Sequence, residues 1–182
     1  NSVPVPEGRG PLRLPIPNDR QLNRVRQYLT QGRGLSGTWL ESLIQAGKLY
    51  ADRRANAVFL LLAGKPNRPV GAELRGTGPR VWRGMAAGTR KDRGFFWLGD
   101  PASRQLVLCE SAIDAISYYQ MHPDALCLST SGVRANPLWL PGLLARGYEI
   151  HCGFDADEPG DAVAAQMIAL HPAVQRLRPS AH

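Results

Sequence analysis

Three carboxylates in the second half of the chain stand where short apolar runs end. Glu110 follows Gln105-Leu-Val-Leu-Cys109, and Asp155-Ala-Asp157-Glu-Pro-Gly160 follows Glu149-Ile-His-Cys-Gly-Phe154. Residues two apart on an extended chain point to the same side, about 6–7 Å apart, so Asp155 and Asp157 can address one spot. Gly160 lets the chain turn sharply, and Pro159 suits the first turn of a following helix. Convergent carboxylates repel one another unless a cation neutralises them. Hard oxygen donors of this kind suit Mg²⁺ or Mn²⁺, which take one or two protein carboxylates together with waters and substrate phosphate. An Asp-x-Asp-x-x-Gly segment alone equally describes acidic caps on a helix that follows a strand. The glutamate closing an earlier strand of the same unit is what favours the cation. A Ca²⁺ loop does not fit, because of Pro159 and the lack of a closing Glu at the twelfth position.

Charge is divided unevenly along the 182 residues. Residues 1–104 hold 18 Lys and Arg against seven Asp and Glu, whereas residues 105–182 hold four against eight. A basic half joined to an acidic half attracts polyanions beside a site that gathers carboxylates. A plainer source is also available: 19 of the 22 cations are Arg, as a GC-rich genome gives without selection for binding. Within the basic half, Arg75, Arg80, Arg83, Arg90, Lys91 and Arg93 form a Gly-rich cationic stretch suited to a phosphate backbone. Trp82, Phe96 and Trp97 nearby either stack on bases or fill sheet positions as core.

Other chemistries find little support. No Gly-Lys-Ser/Thr follows a strand, so no Walker loop is present. Ser129-Thr-Ser131 with His151 lacks the Gly-x-Ser-x-Gly elbow of a hydrolase. His122 and His171 each precede a proline and read as helix-end or exposed residues. Cys109, Cys127 and Cys152 are odd in number and without Cys-x-x-Cys spacing, which excludes a disulfide framework or zinc ribbon and marks them as small buried apolar residues. The longest apolar run, Ala57 to Ala63, is far short of the roughly 20 residues that cross a bilayer. With no basic-then-apolar leader either, the expectation is a cytoplasmic protein with no membrane partner.

The elements that must position these residues emerge from periodicity. Residues 1–17 hold five prolines and read as an extended arm. From Asn18 as a cap, Leu22, Val25 and Leu29 outline an amphipathic helix ending near Gly32–Gly34, and Ser36 opens a second with Leu40, Leu43 and Ile44 inward, closed by Gly47. Strand-like pieces come next at 48–51, 57–62, 70–75, 81–83 and 95–98, suggesting an antiparallel sheet. Beyond residue 104, strands 105–109, 125–129, 149–154 and 173–178 alternate with helices 111–121, 138–146 and 159–170. That rhythm indicates a parallel sheet covered on both faces, with its ligand site outside the carboxyl ends of the strands. The expected organisation is an arm (1–17), an α+β accessory module with antiparallel strands (18–104) and an α/β domain (105–182).

Leu106-Val-Leu-Cys-Glu110-Ser-Ala-Ile-Asp114, Thr130-Ser-Gly132 and Phe154-Asp155-Ala-Asp157-Glu-Pro-Gly160 resemble the motifs of the Toprim domain of bacterial primases, topoisomerases and small nucleases. The upstream run is similar to the segment preceding a Toprim-like domain in primase-related proteins of plasmids and integrative elements: Tyr28-Leu-Thr-Gln-Gly-Arg-Gly-Leu35, Gly47-Lys-Leu-Tyr50, Asn56-Ala-Val-Phe59, Arg75-Gly-Thr77 and Gly94-Phe-Phe96. The resemblance implies a Rossmann-type Toprim sheet flanked by helices. In it Glu110 is the acid/base or metal ligand, and Asp155 and Asp157 are paired metal ligands. Asp114 and Asp161 are secondary acidic positions. Asp114 is equally explained as the partner of Ser111 in a capping box, and Asp161 as an acid complementing a helix dipole. Gly132 matches the glycine of the turn after the second strand.

The resemblance also implies Mg²⁺- or Mn²⁺-dependent phosphoryl or nucleotidyl transfer of primase type, in DNA replication or transfer of a mobile element. The partners it implies are DNA, an RNA primer, nucleoside triphosphates and other replication or conjugation proteins. Two alternatives need the same residues: a metal-dependent nuclease, and a non-catalytic nucleic-acid-binding module. Primase-type relatives carry a further acidic motif after the next strand, whereas Pro179-Ser-Ala-His182 offers no carboxylate. The Toprim unit is therefore expected to be incomplete at its C-terminus within these residues.

Overall fold

The computed structural model describes residues 10–180; residues 1–9 of the expected arm lie outside the described residues. Two sheets are built in succession. The first is an antiparallel meander of β1 (Leu49–Ala51), β2 (Ala57–Ala63), β3 (Arg68–Arg75) and β4 (Arg83–Met85), in that spatial order. Its register aligns Leu49 with Phe59, Phe59 with Glu73, and Glu73 with Met85. The cationic strand expected at 81–83 instead begins at Arg83, leaving Val81 and Trp82 on the connection.

The second sheet runs β5 (Trp97–Leu98), β7 (Leu126–Ser129), β6 (Gln105–Cys109), β8 (Glu149–Cys152) and β9 (Gln175–Arg176). Its last four strands are mutually parallel, as the alternating strand–helix pattern requires. The edge strand β5 is antiparallel to β7, pairing Trp97 with Leu128. Its pairing with the second sheet was not legible in the sequence. A two-residue strand has its partner chosen by distant packing rather than by its own pattern.

Alternation along the central strands explains why both faces are covered. On β6, Leu106 and Leu108 point to one cluster and Val107 and Cys109 to another; on β7, Leu126 and Leu128 part from Cys127 in the same way. The first of these faces packs under α4 (Leu140–Ala145) and α5 (Glu158–Leu170) through Leu140, Leu143, Ala164 and Met167. The other packs on α3 (Ala112–Met121) through Ile113 and Ile116. That second cluster continues without a break into Val25 of α1 (Leu22–Gln27), Leu40 and Leu43 of α2 (Gly37–Gln45), and Phe59 of β2. Phe59 meets Phe96 edge-to-face at 5.5 Å, one ring on β2 of the first sheet and the other just before β5 of the second. All three cysteines are buried and free.

The proline-rich segment lies on the outer face of the first sheet. Arg13 pairs with Ala87 and Pro17 with Asp52, Tyr50 donates its hydroxyl to Pro15 O at 2.7 Å, and Leu14 packs on Val58, Leu60 and Leu62. Among the described residues no helix is long and apolar enough to cross a membrane.

Candidate functional site

Glu110 leaves the carboxyl end of β6, and Asp155 lies three residues beyond β8, its immediate parallel neighbour. Both therefore reach the same rim. The Asp155 N–H donates to Glu110 Oε1 at 3.0 Å, joining the ends of two motifs 45 positions apart. β8 stops at Cys152, so Asp155 and Asp157 sit on a bend rather than on extended chain. The two side chains consequently divide their roles. Asp155 lines a cleft between the two sheets, whereas Asp157 is the N-cap of α5 and takes the Gly160 N–H on Oδ1 at 2.7 Å. Gly160 is required here, since a Cβ would lie 2.1 Å from Asp155 O.

Ser111 caps α3 on Asp114: the Asp114 N–H donates to Ser111 Oγ at 3.2 Å, and that hydroxyl donates to Asp114 Oδ2 at 2.8 Å, in place of the backbone return bond of a capping box. Asp114 also lines the cleft. Asp161 is turned elsewhere, held by Arg176 at 2.7 Å and Arg178 at 3.1 Å, and these guanidinium groups keep its carboxyl below the ordinary range.

The acidic rim is crowded with like charge. Burial raises the pKa of Glu110, with the charges of Asp155, Asp114 and Asp157 adding to it, while the Asp155 N–H opposes. Burial likewise raises Asp155, with Asp114 and Asp157 next. Among the described residues, no three His, Cys, Asp or Glu side chains form a ready-made cation cage. Mg²⁺ does not demand one, since it commonly uses one or two carboxylates and completes its shell with water and phosphate. Two mutually repelling oxygen donors on one rim fit such an ion.

The cleft has a volume of about 570 Å³. The same cleft is also lined by Arg75, Arg83, Lys91 and Arg33. The remaining expected cations disperse. Arg80 lies in a shallower depression with Arg24, Arg54 and Trp82, whose ring is 48% exposed. Arg90 donates to Gly10 O at 2.9 Å and Gly88 O, tying down the proline-rich segment. Arg93 borders a separate groove with Phe95 and Trp139. Base stacking by Phe96 is ruled out by its complete burial, and Trp97 is half-buried beneath the Lys48 ammonium. Ser129 and Ser131 both donate their hydroxyls to Glu73 rather than to His151.

Sequence reasoning missed Arg33 and Glu73. Arg33 lay inside the quoted Gly-Arg-Gly segment, so a signal existed. Glu73 interrupts an apolar strand and carried none.

A cleft at the carboxyl ends of a parallel sheet, lined by carboxylates and cations together, is the ligand position of a Rossmann-type α/β fold. Residues 107–179 match the family described as Toprim-like, so that part of the chain is similar to a Toprim-like domain. Residues 27–97 match a family described as a protein of unknown function (DUF3991). No curated protein sequence matches the chain.

Among solved structures, the DnaG catalytic core is similar at 20% identity with a TM-score of 0.60, over 86% of this chain and 64% of that one. The primase fragment of the bacteriophage T7 primase-helicase is similar at 17% identity and TM-score 0.60, over 97% and 74%. The Aquifex aeolicus primase, with zinc-binding and RNA polymerase domains, is similar at 12% identity and TM-score 0.51, over 87% and 53%. The chain thus has the fold of primase catalytic cores and spans just under two thirds of the DnaG core.

Proposed function

We propose that the chain carries the metal-binding and template-binding parts of a primase-like nucleotidyltransferase. The observation that carries this reading is the Asp155 N–H to Glu110 Oε1 bond, with both motif carboxylates in one cleft that Arg33, Arg75 and Arg83 also line. Glu110 and Asp155 would hold Mg²⁺ or Mn²⁺, joined by Asp157 when its oxygen leaves the helix cap, with Asp114 as a neighbouring acid. The bound ion would orient a phosphate and offset its developing negative charge. Arg33, Arg75, Arg83 and Lys91 neutralise the polyphosphate in the same cleft, a term that accelerates phosphoryl transfer when the charges are already in place. The depression of Arg24, Arg54 and Arg80 around half-exposed Trp82 suits a single strand, with cations along its backbone and an indole beneath a base.

The similarity of residues 28–96 to the upstream segment of plasmid and integrative-element proteins supports a role in mobile-element replication or transfer, in the bacterial cytoplasm beside other replication proteins. Extension of a single-stranded template with labelled ribonucleotides tests the reading. Mg²⁺-dependent products that disappear in Glu110→Gln and Asp155→Asn support it. Metal-dependent cutting of the strand without extension would assign a nuclease, and binding alone would leave a non-catalytic module.

A further inference from the structure

We propose that Glu73 is a positioning residue of the acidic rim: contributed by the first sheet, it fixes the turn that presents Glu110. It lies on β3 opposite Phe59 and Met85, and its carboxylate crosses to the second sheet. There it accepts three hydrogen bonds, from the Ala112 N–H at 3.0 Å on Oε1, and from the hydroxyls of Ser129 at 2.6 Å and Ser131 at 3.0 Å on Oε2. Ala112 begins α3, two residues after Glu110. Ser129 ends β7, and the loop after it closes on the glutamate's own backbone: the Gly132 N–H donates to Glu110 O at 2.8 Å and the Thr130 N–H to Cys109 O at 2.9 Å. Ser131 holds a left-handed φ of 54°, and its N–H is anchored on Ser129 Oγ at 3.0 Å.

One carboxylate thereby ties together the two loops that frame Glu110, and it does so from another sheet. A group serving only helix α3 would be a local cap within the same segment, as Ser111 already is. Three donors to one carboxylate form a rigid node, because none of the bonds can shift without disturbing the other two. Burial raises the Glu73 pKa and the three donors oppose it, as expected where such a group is retained at a desolvation cost. The proposal rests on Glu110 acting as a metal-site residue, and supporting partners of such ligands commonly govern metal affinity by about 10–100-fold when removed.

The test uses the full chain with Glu73→Ala, Glu73→Gln and the double variant Ser129→Ala/Ser131→Ala. Three quantities are read: amide hydrogen exchange at Ala112 and Gly132, Mn²⁺ affinity, and kcat and KM for template extension. Glu73→Ala is expected to speed exchange at both amides by about tenfold or more, and to weaken Mn²⁺ binding by about tenfold. It should lower kcat while leaving KM for template within about twofold, since the cationic residues are untouched. Glu73→Gln, which retains an acceptor oxygen and the packing, restores part of each. If Glu73→Ala does not fold, the double serine variant, which removes two of the three bonds but keeps the one from Ala112, decides through exchange at Gly132, Mn²⁺ affinity and kcat. Wild-type exchange at both amides in folded Glu73→Ala, or at Gly132 in the folded double serine variant, overturns the proposal. Asp155→Asn separates the two readings: unchanged Mn²⁺ affinity there defeats the metal site, whereas loss there with full Mn²⁺ affinity in the Glu73 variants defeats the role of Glu73.

Discussion

Asp157 holds two jobs that chemistry can separate. Its Oδ1 caps α5 through Gly160, and its charge belongs to the acidic rim. Asp157→Ala removes both and is expected to cost about 1 kcal/mol of stability as a lost N-cap. Asp157→Asn keeps an acceptor oxygen for the cap, so thermal unfolding should stay close to wild type while divalent-ion affinity falls. Equal loss of stability in the two variants would show that charge rather than capping matters there. Glu110 and Asp155 make a prediction of opposite sign. Their raised pKa values mean that the folded chain binds protons more tightly than the unfolded chain. Their favourable contribution is therefore full at acid pH and is lost as pH rises through the folded values. Asp155→Asn should accordingly raise the metal-free melting temperature at neutral pH and change it little at acid pH. Mn²⁺ should stabilise the wild type more at neutral than at acid pH, as calorimetry at two pH values can check.

Elements deliver these residues by means that were only partly visible in the sequence. β6, α3, β8 and α5 were legible because β6 and β8 are apolar runs bounded by polar turns, and each helix opens with its own cap, Ser111 and Asp157. The Ser111–Asp114 cap was readable as a four-residue pattern. The seat of β5 and the bridging role of Glu73 were not, since both depend on contacts between segments about 30 to 60 positions apart that no local period encodes. The two sheets meet at Phe59 and Phe96, both buried to 1% exposure or less. Phe96→Ala should cost about 3–5 kcal/mol in denaturant unfolding. The loss should appear in one transition if the shared cluster couples the two sheets, and a two-step transition would show them folding apart. Gly160→Ala places a methyl against Asp155 O, so it should disturb the acidic rim as well as α5.

At the scale of the molecule, the charge imbalance between the halves becomes a cleft that gathers cations of the first half beside carboxylates of the second. The sequence located the imbalance but could not sort the cations, because a run of arginines says nothing about which strand face each one takes. Arg75 and Arg83 reach the cleft, Arg90 secures the proline-rich segment, and Arg93 opens on another groove. Oligonucleotide affinity should therefore fall steeply with salt. Each of Arg54→Ala and Arg80→Ala should reduce the single-strand slope of log K against log salt by about 0.7. Arg93→Ala should leave that slope unchanged if the depression around Trp82 is the binding path.

The sharing of one divalent ion by Glu110 and Asp155 is tested most directly by calorimetric titration of Mn²⁺ into the full chain near neutral pH, with Glu110→Gln and Asp155→Asn alongside. Saturable binding in the wild type, weakened about tenfold or more in each variant, is the predicted result. Equal Mn²⁺ affinity in all three proteins would contradict it.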